Sequence, residues 1–320
     1  MSEKSYPAWG PQSCTNPACW YIIANPAARR GAMGRAWPDI ERIFQELEIP
    51  FTVRFTEYRG HAMQLAEDAI LAGAGRIMAI GGDGTNHETV HGLFTQQHRS
   101  PADITYALLP FGTGNDWARQ YQLPFEPRAR LQRLVQPETV LQDIGLVEYT
   151  RDGATHRRYF VNVAGMAYDG FITWKLLKKP ARNKTSYLLA VGRYLMEYVP
   201  SKARIIFNGR TVEDEFYTIN IGLCRYSGGG MQLVPHAVPD DGLLALTFAR
   251  KLPKLEVLLQ SGRFYKGTLL EHPRIEGYQT DRVRVEAIGS DPCLVEADGE
   301  FLGHTPVEFS LLPAALKLAL

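Results

Sequence analysis

The 320-residue sequence has almost no net charge: 35 Lys and Arg stand against 34 Asp and Glu, leaving +1. No overall field draws the chain to nucleic acid, so no nucleic-acid partner is expected, and attraction to any charged surface must come from local clusters. Cysteine is scarce. Cys14, Cys19, Cys224 and Cys293 form neither a C-x-x-C pair nor a Cys/His pattern. That spacing suggests neither a zinc site nor a disulfide framework, and a reduced, cytoplasmic setting is the expectation. No run approaches the roughly 18 apolar residues needed to span a bilayer. Residues 1–18 are polar and lack the apolar stretch of a secretory signal, so they read as a disordered tail. No internal repeat is visible.

What remains is an ordinary globular composition, 45% hydrophobic and 22% charged, with length enough for two domains. Up to about residue 138, short apolar runs alternate with segments of helical period. Trp20-Tyr21-Ile22-Ile23-Ala24, Phe51-Thr52-Val53-Arg54-Phe55-Thr56, Arg76-Ile77-Met78-Ala79-Ile80 and residues 104–109 read as strands, and residues 61–71 and 86–97 as helices. This alternation predicts an α/β, doubly wound parallel layer over residues 19–138, with ligands at the carboxyl ends of its strands. From residue 139 to 305 the runs become β-branched and turn-separated, which predicts a mainly antiparallel β domain with one helical insert, residues 183–198.

Two strand–turn–helix junctions carry the chemistry of the first domain. The first is Gly81-Gly82-Asp83-Gly84-Thr85-Asn86 and the second is Pro110-Phe111-Gly112-Thr113-Gly114-Asn115-Asp116. A glycine-rich turn opening a helix presents main-chain N–H groups with no side chains in front of them, which suits phosphate. A carboxylate there repels phosphate unless a cation or hydroxyl intervenes, so Asp83 suggests a metal-bound nucleotide or a sugar hydroxyl. One such turn serves equally well as a plain connection; two, each holding an Asp, weaken that reading. In the second domain, Asp298-Gly299-Glu300 reads by itself as a hairpin turn and Asp240-Asp241-Gly242 as a surface turn. The glycine run Gly228-Gly229-Gly230 permits close backbone approach or a hinge.

Together with Leu109-Pro110-Phe111-Gly112-Thr113-Gly114-Asn115-Asp116, Gly228-Gly229-Gly230-Met231, Pro239-Asp240-Asp241-Gly242-Leu243-Leu244 and Asp298-Gly299-Glu300, the first turn resembles the diacylglycerol kinase catalytic-domain family, which includes soluble bacterial lipid kinases and the sphingosine and ceramide kinases. The motifs occur in family order across most of the chain. The resemblance implies an ATP-dependent lipid kinase that uses Mg²⁺ and transfers the γ-phosphate to a diacylglycerol-type or sphingoid-type hydroxyl. It implies an active site in the interdomain cleft. Asn25, Thr56, Gly82, Asp83, Gly84, Thr85, Asn86, Glu88, Thr113, Gly114 and Asn115 are then expected at the nucleotide. Glu300 is expected as proton acceptor with Asp298 beside it, and Asp241, Asp143 and the carbonyls of Val238 and Leu243 as a Mg²⁺ site. Residues 306–320 are expected to return to the first domain. Asn25-Pro26-Ala27-Ala28-Arg29-Arg30-Gly31 departs from the family pattern, with a late Gly and two arginines. Gly165-Met166-Ala167-Tyr168-Asp169-Gly170 matches another family element with small swaps.

A peripheral contact with a membrane surface follows for a lipid substrate. The basic and aromatic stretch around Phe171, Trp174, Lys175, Lys178, Lys179, Arg182, Lys184, Tyr187, Leu188 and Arg193 is the candidate, with a solvated helix face as its rival. A homodimer is left open. An NAD kinase-like enzyme with a soluble substrate and a non-catalytic nucleotide-binding regulator are the alternative functions.

Overall fold

Strands with long apolar runs need cover on both faces, and three of the four strands in the first third of this chain are buried along most or all of their length. The computed structural model describes residues 14, 16–178 and 184–320. They form two units: the described residues up to Gln142 together with Ala314–Leu320, and Asp143–Pro313. The expected break lies at residue 138. The expected tail falls mostly outside the described residues.

The first unit contains β1 (Trp20–Ala24), α1 (Ala28–Glu46), β2 (Phe51–Phe55), α2 (His61–Leu71), β3 (Arg76–Gly81), α3 (Asp83–Thr95), β4 (Thr105–Pro110), α4 (Asp116–Gln120) and α5 (Pro127–Arg133). Its strands pair in parallel in the order β2–β1–β3–β4. The α/β layer expected from the sequence is present. β1 is buried along its whole length. Trp20, Ile22, Ile40, Phe44, Met78, Ile80, Ala107 and Leu109 share one core. The α1 segment is interrupted at its start. Arg29, Arg30 and Gly31 all have left-handed φ, so the regular helix begins beyond them. Cys14 and Cys19 are disulfide-bonded, with Cα atoms 6.1 Å apart. The spacing suggested no disulfide framework and a reduced setting, yet this pair is joined: a turn closed by the Cys19 N–H to the Asn16 carbonyl (2.9 Å) brings the two together. Cys224 and Cys293 are free and buried.

The second unit begins within β5 (Thr139–Arg151) and continues through β6 (Ala154–Phe160), β7 (Val163–Ala167), α6 (Tyr168–Lys178), α7 (Lys184–Glu197), β8 (Ser201–Phe207), β9 (Arg210–Gly222), the short β10 (Tyr226–Ser227) and β11 (Met231–Gln232), β12 (Leu244–Arg250), α8 (Lys254–Gln260), α9 (Gly262–Lys266), β13 (Ile275–Thr280), β14 (Val283–Ala287), β15 (Leu294–Ala297) and β16 (Glu300–Ala319). The strands pair antiparallel as β13–β12–β9–β7–β15–β16 and again as β9–β8–β14–β16. The long β9 and β16 thus belong to both layers of a sandwich. Ala203, Ile205 and Phe207 alternate inward to meet Phe216, Phe248 and Phe309. One helical insert was expected; among the described residues four α-helices are present.

β16 starts in the second unit and ends in the first, where Lys317 and Leu318 pair in parallel with Thr105 and Tyr106 of β4. The chain passes into the first unit at Ala314 rather than at Pro306. Arg130 fastens that end. It is fully buried, donating from Nε to the Leu108 carbonyl (2.9 Å) and from Nη2 to the Ala319 carbonyl (2.7 Å). Burial lowers its pKa to about 10. Arg130→Leu strands two buried carbonyls, and a loss of about 2–4 kcal/mol is expected from urea unfolding. Arg130→Lys should not restore it, because one ammonium lacks the planar fork that reaches both carbonyls. Equal stability of parent and Arg130→Leu would remove the arginine as the fastener.

Candidate active site

β1 is flanked by β2 on one side and β3 on the other, so the strand order reverses between β1 and β3. In an open parallel sheet, a ligand crevice forms at the carboxyl ends of such a pair. Asn25 follows β1 and Gly82 follows β3. The Asn25 Nδ2 donates to the Thr85 hydroxyl oxygen (3.1 Å) across this point, and the Asn25 main-chain N–H donates to the Ile80 carbonyl (2.9 Å). Gly82 is extended and precedes α3, whose first turn has no side-chain cap. Its leading N–H groups therefore have no helix partner and no capping side chain. A Cβ built on Gly84 would meet no protein atom within 4 Å. This is an open, uncapped helix N-terminus, the arrangement that takes phosphate.

The two glycine turns touch backbone to backbone. A Cβ on Gly82 would lie 2.9 Å from the Gly112 Cα, and one on Gly112 would collide with the Gly82 Cα and Asn115 Oδ1. Asn115, itself at left-handed φ, accepts the Gly112 N–H at Oδ1 (2.7 Å) and donates from Nδ2 to the Gly112 carbonyl (3.2 Å). Asp83 completes the junction, accepting the Trp117 N–H (3.2 Å) at the start of α4. Burial, and next the Asp116 carboxylate, push its pKa up to about 6. Asp83 therefore ties the first turn to the second.

The remaining nucleotide candidates divide. Thr113 is exposed and Gly114 half-buried on the second turn. Thr56, after β2, donates its N–H to the Ala24 carbonyl (2.9 Å). Asn86 faces inward and accepts the Tyr106 hydroxyl at 2.6 Å. Glu88 accepts the Gly60 N–H (2.9 Å) and so fixes the loop before α2.

In the second unit the Asp298 carboxylate accepts three main-chain N–H groups, from Val161 (2.9 Å), Asn162 (3.0 Å) and Val163 (3.2 Å). It holds the turn that breaks β6 from β7, and it has left-handed φ itself. Glu300 follows at the head of β16, half-buried. Sequence reasoning missed the residue that supports this turn. Glu296 is buried on β15 and accepts the Gly299 N–H (2.8 Å). A Cβ on Gly165 would lie 2.6 Å from both Glu296 Oε1 and the Asp169 Cβ. Glu296 and Asp169 therefore share one seam. Burial, then the Asp169 carboxylate, push Glu296 well above the usual carboxylate range, and burial pushes Asp169 up to about 6. Asp169 also accepts the Thr218 hydroxyl, and Asn220 donates to Thr218 Oγ1 (2.9 Å). The signal was available, because Asp169 lies in a family-like element and Glu296 two residues before Asp298.

Asp143 is buried and accepts the Gly242 N–H (2.7 Å), while its own N–H donates to the Pro239 carbonyl (2.8 Å). Asp241 accepts the Leu243 N–H (3.0 Å) and the Gln279 amide (2.8 Å). The two acids hold one loop, on which Val238 and Leu243 also lie. Among the described residues no three His, Cys, Asp or Glu side chains converge on a metal position. A cation here would depend on carboxylate and carbonyl oxygens, a donor set suited to Mg²⁺ or Ca²⁺.

Asp169 also lines a cavity of about 280 Å³, with Ile172, Leu195, Tyr217, Leu233 and Phe264 among its walls. The walls are overwhelmingly apolar, and Asp169 supplies their carboxylate. The basic segment proposed for the membrane is partly internal. Lys175 pairs with Glu197 (3.0 Å) and lies 5.1 Å over the Phe171 ring, and Lys178 lies 3.8 Å over Trp174. Arg193 also pairs with Glu197 (3.2 Å). Lys179 and Arg182 lie outside the described residues.

Comparison with known proteins agrees with this geometry. A family model described as the diacylglycerol kinase catalytic domain matches residues 19–147, and one described as the YegS C-terminal NAD kinase beta sandwich-like domain matches 174–320. A probable YegS-like lipid kinase of Pseudomonas aeruginosa is 32% identical, covering 84% of each chain. A diacylglycerol kinase of Bacillus subtilis is 27% identical, covering 90% of this chain and 91% of its own. The crystal structure of a putative diacylglycerol kinase from Bacillus anthracis has the same fold, with a TM-score of 0.73 at 22% identity over 94% of this chain and 96% of that one. The chain belongs to the diacylglycerol kinase catalytic-domain family, in the form that carries the YegS-type C-terminal domain. By family it is a lipid kinase.

Asp83 has an unfolded value near 3.8 and a folded value of about 6. The folded state holds the extra proton between them, so this carboxylate's contribution to stability falls as pH rises through that window. Asp83→Asn should therefore compare more favourably with the parent at pH 7 than at pH 4.5 in chemical unfolding. A difference that does not change with pH contradicts the raised value.

Proposed function

We propose that the chain transfers the γ-phosphate of Mg-ATP to the hydroxyl of a diacylglycerol-type or sphingoid-type lipid. The cavity of about 280 Å³ carries the lipid assignment. Its apolar walls suit hydrocarbon, and its carboxylate suits a hydroxyl-bearing head. A soluble, dinucleotide-sized acceptor requires polar walls instead, which disfavours the NAD kinase-like alternative.

In this reading the N–H groups of Gly84 and Thr85 hold the nucleotide phosphates at the head of α3. Asn25, Thr56, Gly82, Thr113, Gly114 and Asn115 surround that position. Asp83 positions the two turns and serves the nucleotide through them. Mg²⁺, when bound with ATP, supplies neutralisation of the developing phosphate charge. A structural Mg²⁺ is assigned to Asp241 with Asp143 and the carbonyls of Val238 and Leu243. Glu300 accepts the proton from the attacking hydroxyl. Asp298 shapes the turn that presents Glu300, since three N–H groups already occupy its carboxylate. Asp169 accepts a hydrogen bond from the lipid head. Among the described residues no helix is long and apolar enough to cross a membrane, so the lipid is met through a peripheral contact.

Glu300→Gln keeps the shape but cannot accept a proton. Turnover of dispersed diacylglycerol should fall at least about a thousandfold, while ATP affinity stays within a few-fold. Near-normal turnover would remove Glu300 from the mechanism. Gly84→Val and Gly112→Ala separate cradle from scaffold. Gly84→Val should retain the parent melting midpoint and lose ATP binding, whereas Gly112→Ala should cost about 1–3 kcal/mol through its backbone collision. Tight ATP binding by Gly84→Val would make the first turn a plain connection.

A further inference from the structure

Helix α8 is built the wrong way round for a soluble surface. Leu255, Leu258 and Leu259 stand at positions i, i+3 and i+4, which share one helix face, and they are 67, 45 and 74% exposed. Val257, on the other side, packs inward. Met196 and Val199, 58 and 77% exposed, lie close by: the Lys254 ammonium donates to the Met196 carbonyl. Tyr265 on α9 is half exposed as well. A cluster of this kind on a soluble chain marks an interaction surface.

Two observations choose the occupant. Leu258 and Tyr265 are at once exposed and part of the cavity lining. The apolar ridge is therefore the rim of the cavity, and hydrocarbon could move along it without meeting water. The segment from 251 to 266 also carries Lys251, Lys254, Arg263 and Lys266 against a single acid, Glu256. Lys251 and Arg263 are paired with Glu215 and Glu271. Lys254 is held by a carbonyl, which leaves its charge uncancelled. Apolar side chains flanked by cations are the complement of an anionic bilayer surface.

We infer that the α8 ridge, with Met196, Val199 and Tyr265, docks this protein on an anionic lipid bilayer and opens the cavity to it. This rests on the lipid-kinase reading for its purpose, but its test does not depend on turnover. Co-sedimentation of the full chain with phosphatidylglycerol/phosphatidylcholine vesicles, without ATP, is compared for the parent and Leu255→Gln/Leu259→Gln. Neither leucine lines the cavity. Vesicle binding should fall about tenfold or more, with activity on vesicle-borne diacylglycerol falling in step and activity on a short-chain, dispersed diacylglycerol unchanged. Leu259→Trp supplies a readout independent of folding losses: its added fluorescence should shift to the blue when vesicles are mixed in. Retained vesicle binding in the double variant, or no blue shift, overturns the proposal. So does equal loss on both substrates, or a parent dimer that the double variant dissociates, which would make a second copy the occupant. Vesicle binding through these leucines by a chain with no kinase activity would leave the surface standing and remove the enzymatic reading instead.

Discussion

Two glycine Cα atoms stand where side chains would otherwise be, and the junction of the two glycine turns depends on that contact. Gly82 and Gly112 approach so closely that neither can carry a Cβ without meeting the other's backbone. The proximity brings α3 and α4 to one place and puts the Asp83 carboxylate on the Trp117 N–H. Enclosing a carboxylate between two turns carries a cost, visible in its raised pKa. Three main-chain donors recover part of it. The result is a closely packed floor, with the exposed glycine, Gly84, directed at open space. Close packing and openness come from different glycines of the same motif.

The second unit solves a similar problem with acids. Asp298 gathers three N–H groups from the turn between β6 and β7, and Glu296 holds Gly299. Glu300 is thus delivered by a turn whose neighbours on both sides are pinned. Burial drives Glu296 towards the neutral form, while the Asp298 carboxylate is occupied by three main-chain donors. Differing environments of this sort let adjacent acids take different roles.

Much of this was legible in the sequence, for identifiable reasons. Parallel, fully buried strands such as Trp20-Tyr21-Ile22-Ile23-Ala24 announce themselves by unbroken apolar runs, and glycine turns by composition. The sandwich topology was not legible, because β9 and β16 each serve two layers and nothing in a local pattern marks where a strand leaves one partner for another. The role of Asp83 could not be read either. Its partner, the Trp117 N–H, is a main-chain group 34 positions away, and main-chain donors leave no residue signature. Helices α8 and α9 escaped notice because they are seven and five residues long, too short for a helical period to stand out. Cys14 and Cys19 form a pair that spacing rules for metal sites and frameworks do not describe.

β16 has a consequence for the order in which the molecule can be assembled. The edge of the first unit's parallel sheet is closed by Lys317 and Leu318 against β4, and Arg130 waits for the Ala319 carbonyl. Both partners emerge from the ribosome only after every strand of the second unit. Until then β4 is an open edge, able to recruit foreign strands, and a buried guanidinium lacks one of its acceptors. The first unit, although encoded first, is therefore completed last, and an interruption of synthesis late in the chain leaves the earlier half unsealed.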